Sequence, residues 1–393
     1  MTDGRRHIGT AERRARLALR HRLAGPARAA SPEEVAASLV ALHGTDPAAV
    51  HLAVAARLAD PAKAVRETER ALYEDGTLVR MHGMRHTVFV FPTELTAVVH
   101  ASTGLAVAAR ERARLVKDMA SAGAPDAAWL AEVEEATLAA LARRGQATAA
   151  ELAADEPRLR EQFAYAAGKS YEGVHTVSTR LLRLLGVEGK VVRGRPLGSW
   201  TSSQFRWAPA PAHAELDVAG AQAGLLGRWL RACGPATEAD LKWWTGWRVT
   251  EVRRALSAIG AREVVLDEGT GYVADGDTAP VAAPEEPWAA LLPALDPTAM
   301  GWQQRDWYLD PALRPLLFDR SGNVGPTVWW NGRVVGGWAQ RADGEIVWRI
   351  PEEGVRREAG SEVAAAAGRL GGLLGATRIT PRFRTPLERE LTA

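Results

Sequence analysis

The sequence predicts an α+β protein made of three tandem winged helix-turn-helix units followed by a small β-rich C-terminal domain. Residues 145–152 and 234–241 align without a gap, and each segment places a Thr three residues before an acid. This spacing is the capping box, in which the hydroxyl and the carboxylate satisfy free backbone N–H groups at a helix start. A weaker third copy begins at Ser31, with Pro32 as the first helical residue and Glu34 closing the box. Three similar helix starts predict three similar units.

The last unit shows the expected order of elements most clearly. An apolar helix ending near Cys233 precedes the capped helix, and Gly246 separates the capped helix from a third helix through residues 252–259. Two strands follow, at 262–266 and 271–273, around an Asp-Glu-Gly turn. Three helices followed by a hairpin is the order of a winged helix.

The other two units repeat this order. In the first unit we expect helices at 32–42, 47–58 and 62–74, then strands at 78–81 and 87–91 around Gly83. In the middle unit we expect helices at 133–142, 149–154 and 177–185, then strands at 190–193 and 199–207 around a tip at 194–198. The predicted domains are therefore residues 1–125, 126–215 and 216–280, with the C-terminal domain at 281–393.

The C-terminal part of the sequence, from about residue 278, does not repeat the pattern of the three units. The Pro- and acid-rich stretch 278–287 is typical of a linker, and Asn331-Gly332 between apolar runs is the strongest short signal for a β-hairpin. A further strand at 346–350 and a helix at 362–374 complete the predicted β-rich domain.

The first thirty residues are rich in arginine. We interpret Arg5, Arg6, Arg13, Arg14, Arg16 and Arg20 as the polar face of a helix that carries Ile8, Leu17 and Leu19. A transit peptide is the less favoured interpretation, and the continuous apolar region of a signal peptide is missing.

Composition sets broad limits on the function. The 393 residues are 47% hydrophobic and 24% charged with a net charge of +2, as in an ordinary soluble protein. The single cysteine, Cys233, excludes an intramolecular disulfide and a Cys-cluster metal site. No apolar run is long enough for a membrane span. We expect a cytoplasmic protein and a monomer, with no metal held by cysteines.

The sequence lacks the characteristic motifs of several common enzyme classes. Gly168-Lys169-Ser170 resembles the end of a phosphate-binding loop, but Phe163 stands where the first glycine of that loop would be. The sequence also lacks the signatures of zincins, α/β-hydrolases and dinucleotide-binding enzymes.

Local positive charge supports nucleic-acid binding. The third helix and wing of the middle unit carry Arg180, Arg183, Lys190, Arg193 and Arg195 against Glu188, and the last unit carries Arg248, Arg253 and Arg254 beside Glu251. Solvated helix faces and protein-interaction surfaces are the alternatives, because charge runs and winged helices also serve those purposes.

The segment between the first two helices of the first unit is polar. Asp46 before Pro47 is an ordinary N-cap, and Gly44 permits the turn. His43 and Thr45 remain available for function.

This corner and several later segments resemble the AlkZ/YcaQ-like family of winged-helix DNA glycosylases. The family pattern, Leu-Gln-x-Gln followed by an acid, aligns with residues 42–46, where the leucine and the acid are present. The Ala-Arg-Leu-like segment of the family is matched by residues 56–58. The other similar segments are residues 77–87, 246–247, 291–297 and 332–336. The two glutamines of the family fall on His43 and Thr45.

The resemblance implies a fold, an activity and a partner. It implies a monofunctional enzyme that cleaves the N-glycosidic bond of bulky or cationic N7-alkylpurines in double-stranded DNA, without a cofactor. The candidate catalytic residues are His43, Thr45 and Asp46. The predicted DNA contacts are Arg80, His82, Arg85, Arg180, Arg183, Lys190, Arg193, Arg253, Arg254 and Arg333, with His51 and His86 as weaker candidates.

Elementary chemistry is compatible with the exchange of both glutamines. A cationic N7-alkylpurine leaves without a general acid, so the protein needs only to place a water molecule and stabilise an oxocarbenium-like sugar. A neutral His43 with a pKa of about 6.5 would accept a proton from that water, Thr45 would orient it, and Asp46 would supply negative potential. The alternative is a DNA-binding protein or regulator that has lost the glutamine pair.

Overall fold

The computed structural model describes residues 5–123, 125–165 and 172–393. The helices are α1 (Thr10–Arg20), α2 (Pro32–Ser38), α3 (Pro47–Ala55), α4 (Ala64–Tyr73), α5 (Thr96–Val99), α6 (Leu105–Ser121), α7 (Ala127–Arg144), α8 (Ala149–Asp155), α9 (Val177–Val187), α10 (Val218–Cys233), α11 (Glu238–Thr245), α12 (Val249–Ala258), α13 (Arg314–Leu317), α14 (Glu353–Leu374) and α15 (Pro386–Leu391). The strands are β1 (Leu42–His43), β2 (Leu78–His82), β3 (Val88–Pro92), β4 (Gln162–Tyr165), β5 (Gly173–Thr176), β6 (Val191–Pro196), β7 (Phe205–Pro209), β8 (Arg262–Leu266), β9 (Gly269–Val273), β10 (Ala289–Leu292), β11 (Thr327–Trp330), β12 (Arg333–Gln340) and β13 (Ile346–Arg349). Helix and strand are both abundant, so the fold is mixed. Gly168-Lys169-Ser170 lies outside the described residues.

In the first segment, helices α2, α3 and α4 are followed by the β2–β3 hairpin. The prediction that the first helix continues to residue 42 is wrong: α2 ends at Ser38, and Val40 has a positive φ of 66°. The chain turns there because Leu42 pairs with Val90, which makes β1 the third strand of a β1-β3-β2 sheet. Strand pairing with a distant segment outweighs the local helical pattern.

The middle segment contains α7, α8 and α9, followed by the paired strands β6 and β7. The predicted wing tip at 194–198 begins too early. β6 continues to Pro196, which pairs with Phe205. A second hairpin of β4 and β5 separates α8 from α9, and no periodicity in the sequence pointed to it.

Both capping boxes are confirmed. The Thr148 and Thr237 side chains accept the backbone N–H groups of Glu151 and Asp240, and those two acids accept from the capping residues in return. At the weaker copy, Ser31 accepts the N–H of Glu34, but the Glu34 carboxylate accepts from Ala30 instead of Ser31. The third copy is therefore half of a box.

The arginines of α1 do not form a single solvated face, which corrects the sequence interpretation. Arg13 and Arg16 are 2% and 1% exposed. Arg13 pairs with Glu268 and lies over the Trp307 ring, while Arg16 pairs with Asp277 at 2.9 Å. Long-range packing buries them, because α1 lies between the β8–β9 hairpin and the C-terminal region.

The C-terminal region is a β10-β11-β12-β13 antiparallel sheet covered by α14. The predicted hairpin is confirmed: Asn331 and Gly332 have φ values of 46° and 81°, as a two-residue turn between β11 and β12 requires. α14 begins nine residues before the predicted start at 362, at Glu353.

One hydrophobic core joins the first, third and C-terminal segments. It contains Phe89, Trp229, Trp302 and Trp329, whereas the middle segment has its own core around Leu181. The boundaries at 125, 215 and 280 stay predictions. No helix in the described part of the chain is long and apolar enough to cross a membrane.

Candidate active site and nucleic-acid interface

The polar corner is held against the sheet of the first segment. His43 is opposite Phe89 on β3, and the Gly44 N–H donates to the carbonyl of Val88 at 2.8 Å. A Cβ atom on Gly44 would lie 3.1 Å from the Phe89 backbone, so this close approach favours glycine. The corner is therefore fixed by backbone pairing.

His43 is half-buried, with its ring 5.3 Å from that of Phe89 in an edge-on arrangement. Burial, with the positive charge of Arg85 as a second cause, lowers the pKa of His43 to about 3. The expectation of a pKa near 6.5 is wrong for this environment. His43 is neutral at physiological pH, and it is a hydrogen-bonding group rather than a strong base.

Asp46 is 7% exposed, and its two carboxylate oxygens have separate partners. Oδ1 accepts the N–H of Ala48 at 3.0 Å, which confirms the predicted N-cap of α3. Oδ2 accepts the N–H of Arg382 at 3.2 Å, so the same carboxylate ties the corner to the C-terminal segment. Thr45, between His43 and Asp46, is half-buried.

Arg85 brings positive charge to the corner. Its guanidinium lies 4.1 Å from the centre of the Trp243 ring, and Arg305 lies 4.9 Å from the same ring. Burial and the neighbouring Arg305 lower the pKa of Arg85 to about 10. Arg85 therefore remains charged at neutral pH, and its charge adds to the burial that keeps His43 neutral.

Arg80 on β2 pairs with Val90 on β3, which also pairs with Leu42 on β1. Arg80 therefore lies on the face of the sheet opposite to that of His43. It is 4% exposed, and its Nε and Nη2 atoms are buried without a hydrogen-bond partner. On β6, the Arg193 guanidinium lies 4.6 Å from the centre of the Phe205 ring, and its Nε is also buried without a partner.

The remaining predicted DNA contacts fall into two groups. Three have carboxylate partners: Arg180 pairs with Asp118, Lys190 with Glu134 and Glu188, and Arg253 with Glu238. Three have neutral neighbours: Arg183 donates to His86, Arg254 donates to Gln222, and Arg333 lies over the Trp330 ring. The second group has charge available for phosphates without first breaking an ion pair.

His82 is 7% exposed and packs against Gly186 on α9. Burial and Arg193 lower the pKa of His82 to about 3. A phosphate contact would require this contact between β2 and α9 to open. His51 is 1% exposed, donates from Nδ1 to the Pro47 carbonyl at 3.1 Å, and lies 5.1 Å from the Trp200 ring.

Sequence reasoning missed several contacts that the fold creates, at the corner and elsewhere. Arg382 lies more than three hundred residues from Asp46 along the chain, and Tyr73 is an ordinary position of α4. Arg57 and Asp296 form a bidentate ion pair at 2.9 and 2.7 Å, both fully buried. They belong to two of the matched segments, 56–58 and 291–297, but nothing in the sequence indicates that they meet.

Comparison with known proteins decides the family. A family model described as DNA glycosylase AlkZ-like matches residues 36–373. The chain belongs to the AlkZ-like DNA glycosylase family. Among solved structures, the Streptomyces sahachiroi DNA glycosylase AlkZ is similar, with a TM-score of 0.65 and 21% identity over 90% of this chain and 96% of that one. A search of curated proteins returned no match.

Membership of the AlkZ-like DNA glycosylase family implies that DNA is the partner. Within the described ranges, no group of three or more His, Cys, Asp or Glu side chains is arranged to hold a metal ion. The absence of a metal or cofactor stays a prediction.

Proposed function

We propose that this protein is a monofunctional DNA glycosylase that hydrolyses the N-glycosidic bond of N7-alkylpurines in double-stranded DNA. It acts as a cytoplasmic monomer without a cofactor, and its three helix–hairpin segments are winged helices arranged along the DNA. The observation that carries the proposal is the corner at residues 43–46, where a neutral imidazole, a hydroxyl and a buried carboxylate follow one another at the fixed end of β1.

The corner has the groups that this hydrolysis needs. The cationic base departs with the bonding electrons, which leaves positive charge on the sugar. Asp46 is the negatively charged group of the corner and stabilises that charge. His43 and Thr45 accept hydrogen bonds from the attacking water and place it beneath C1′.

The low pKa of His43 is compatible with this role. Water bound to an oxocarbenium-like carbon becomes strongly acidic, so its proton passes to a weak base or to solvent. A positioned acceptor therefore suffices, and a histidine with a pKa of about 3 provides one. His43 acts mainly by orienting the water.

The DNA contacts divide by their existing partners. We propose that Arg183, Arg254 and Arg333 meet phosphates directly, since none of them pairs with a carboxylate among the residues described. Arg180, Lys190 and Arg253 contribute less, because each must exchange a carboxylate for a phosphate.

The test is release of base from duplex DNA that carries N7-methylguanine or larger N7 adducts, scored as abasic sites. His43→Ala is expected to lower the rate about 10²–10⁴-fold while duplex affinity stays the same. Thr45→Ala should lower the rate of base release by a smaller factor. His7→Ala, at an exposed histidine near the β8–β9 hairpin, is the matched control.

Two outcomes would contradict the proposal. Unchanged base release by the His43 variant would remove the corner from catalysis. Duplex binding without release of any cationic adduct would instead favour a DNA-binding regulator, which the loss of both family glutamines makes the second candidate.

A further inference from the structure

Four polar atoms without partners are concentrated beside the corner. They belong to Arg80, Arg193 and the Tyr73 hydroxyl, all buried without a hydrogen bond. We call these three residues the arginine pocket. They come from β2, β6 and α4, three elements in mutual contact. A buried polar group without a partner costs free energy, so several in one place need an explanation.

The pocket has an excess of positive charge. No carboxylate of the described chain lies within ion-pair distance of Arg80 or Arg193. The nearby acids Glu69 and Glu74 both pair with Arg195, an exposed residue at the rim. The pKa of Arg193 falls to about 10 because of burial and because of the charges of Arg80, Arg382 and Arg183.

The neighbouring histidine does not relieve this charge. His51 donates from Nδ1 to the Pro47 carbonyl, so its Nε2 is an acceptor, and this atom is also buried without a partner. Burial lowers the pKa of His51 to about 3. The pocket therefore contains guanidinium and hydroxyl donors and has no anion of its own.

We propose that the arginine pocket binds one phosphodiester group of the DNA strand that crosses the corner. Arg80, Arg193 and the Tyr73 hydroxyl donate to its two free oxygens. Guanidinium groups bind phosphate oxygens through strong, charge-assisted hydrogen bonds. Tyr73 and Arg193 are partly exposed, so solvent reaches these two members of the pocket.

The position of the pocket identifies the source of the phosphate. Arg80, Val90 and Leu42 are aligned across the sheet, and Leu42 directly precedes His43. Arg382, whose N–H donates to Asp46, also acts on the pKa of Arg193, so a phosphate held by Arg80 and Arg193 would lie close to the corner. This inference rests on the proposed function only for the presence of DNA at the corner.

The first test uses the free protein. Arg80→Met removes a buried charge that has no carboxylate partner in the described part of the chain, and it keeps an unbranched apolar stem. The melting temperature in chloride buffer should stay the same or rise, whereas a structural arginine would give a clear loss. Inorganic phosphate, compared with chloride at equal ionic strength, should raise the melting temperature of the parent more than that of Arg80→Met.

The second test uses duplexes with a stable abasic-site analogue and one neutral methylphosphonate linkage, moved along each strand. At one position the neutral linkage should weaken binding by the parent about tenfold and leave Arg80→Met and Arg193→Gln unaffected. Arg206→Gln is the matched control, because Arg206 lies on the same hairpin but pairs with Glu151 at 3.0 Å. It should respond like the parent.

The outcomes separate this proposal from the proposed function, because binding and base release are measured independently. A single linkage that couples to Arg80 supports the pocket even if no base is released. Stabilisation by phosphate without any coupled linkage would overturn the DNA assignment in favour of free phosphate. A destabilised Arg80→Met without any phosphate effect would overturn the pocket altogether.

Discussion

Two sets of arginines in this protein lie wholly or partly out of water but differ in charge balance. Arg57 and Arg16 are 0% and 1% exposed, and each pairs with a carboxylate from a distant segment. Neither Arg80, which is 4% exposed, nor the half-buried Arg193 has a carboxylate partner among the described residues. The first set joins parts of the chain, and the second set is free to bind an anion.

The difference separates stability from binding. A buried pair is strongly destabilised when one partner is removed, because the other charge is then left without compensation. A buried arginine without a partner already carries that cost in the free protein, and a bound anion would remove it. Four predictions address this contrast, in order of expected size.

The largest effect is expected at the paired set. Asp296→Ala leaves Arg57 charged, buried and without its bidentate partner, and should lower the free energy of unfolding by about 3–5 kcal/mol. Chemical denaturation measures it. The double variant Arg57→Met/Asp296→Leu should recover most of this loss. Equal stability of the single and double variants would show that the pair has no special role.

DNA binding should distinguish arginines with and without carboxylate partners. Arg183→Ala should weaken binding to all duplexes by about tenfold and reduce the salt slope by about one. Arg253→Ala should have a smaller effect, because Arg253 is already paired with Glu238 at 2.6 Å. Titrations at several salt concentrations test this. A larger effect at Arg253 would reverse the assignment.

Asp46 is a buried carboxylate whose hydrogen-bond partners are two backbone N–H groups rather than an arginine side chain. Asp46→Ala should cost about 1 kcal/mol of stability through loss of the α3 cap. Asp46→Asn keeps one acceptor oxygen for the α3 cap but places an NH2 group against the Arg382 N–H, so it should lose less stability than the alanine variant but not keep all of it. If both variants lose base release equally while the alanine variant loses more stability, the charge of Asp46 acts in catalysis and not in capping alone.

The smallest effect is expected from pH between 6 and 8. His43 has a folded-state pKa of about 3, so it stays neutral and base release should be flat over this range. His21 and His51 are also buried with pKa values of about 3, below their unfolded values near 6.5. Their stabilising contribution is present above about pH 6.5 and is lost as the pH falls toward 3.

The measurement is the single-turnover rate of base release, with the melting temperature recorded at each pH. A decline should appear only with the loss of stability in acid. A loss of rate centred near pH 6.5 in a fully folded protein would mean that His43 titrates as an exposed imidazole, contrary to its environment.

Local chemistry in the sequence was sufficient for several elements. The boxes at Thr148 and Thr237 begin helices because a hydroxyl and a carboxylate three residues apart satisfy free N–H groups, whatever surrounds them. The Asn331-Gly332 turn forms because both residues tolerate a positive φ. Strand β8 has the predicted bounds for a similar reason, since its pattern and flanking turn agree.

At the candidate site, the N-cap role of Asp46 could be predicted from the sequence, but the electrostatic environment of His43 could not. The resemblance placed the candidate site at His43, Thr45 and Asp46, and the N-cap role of Asp46 followed from Pro47 alone. The pKa of His43 did not follow, because it depends on burial and on Arg85, which is distant in sequence.

The sequence by itself therefore determined where helices begin, where the Asn-Gly hairpin turns and which family the chain resembles, because each depends on neighbours a few residues apart. Only the tertiary structure decided that Leu42 joins a sheet, that Arg16 meets Asp277, and that Arg80 meets no carboxylate of the described residues. Desolvation and charge pairing depend on which distant segments come together. The same arginine side chain is consequently a structural link in one place and a candidate phosphate ligand in another.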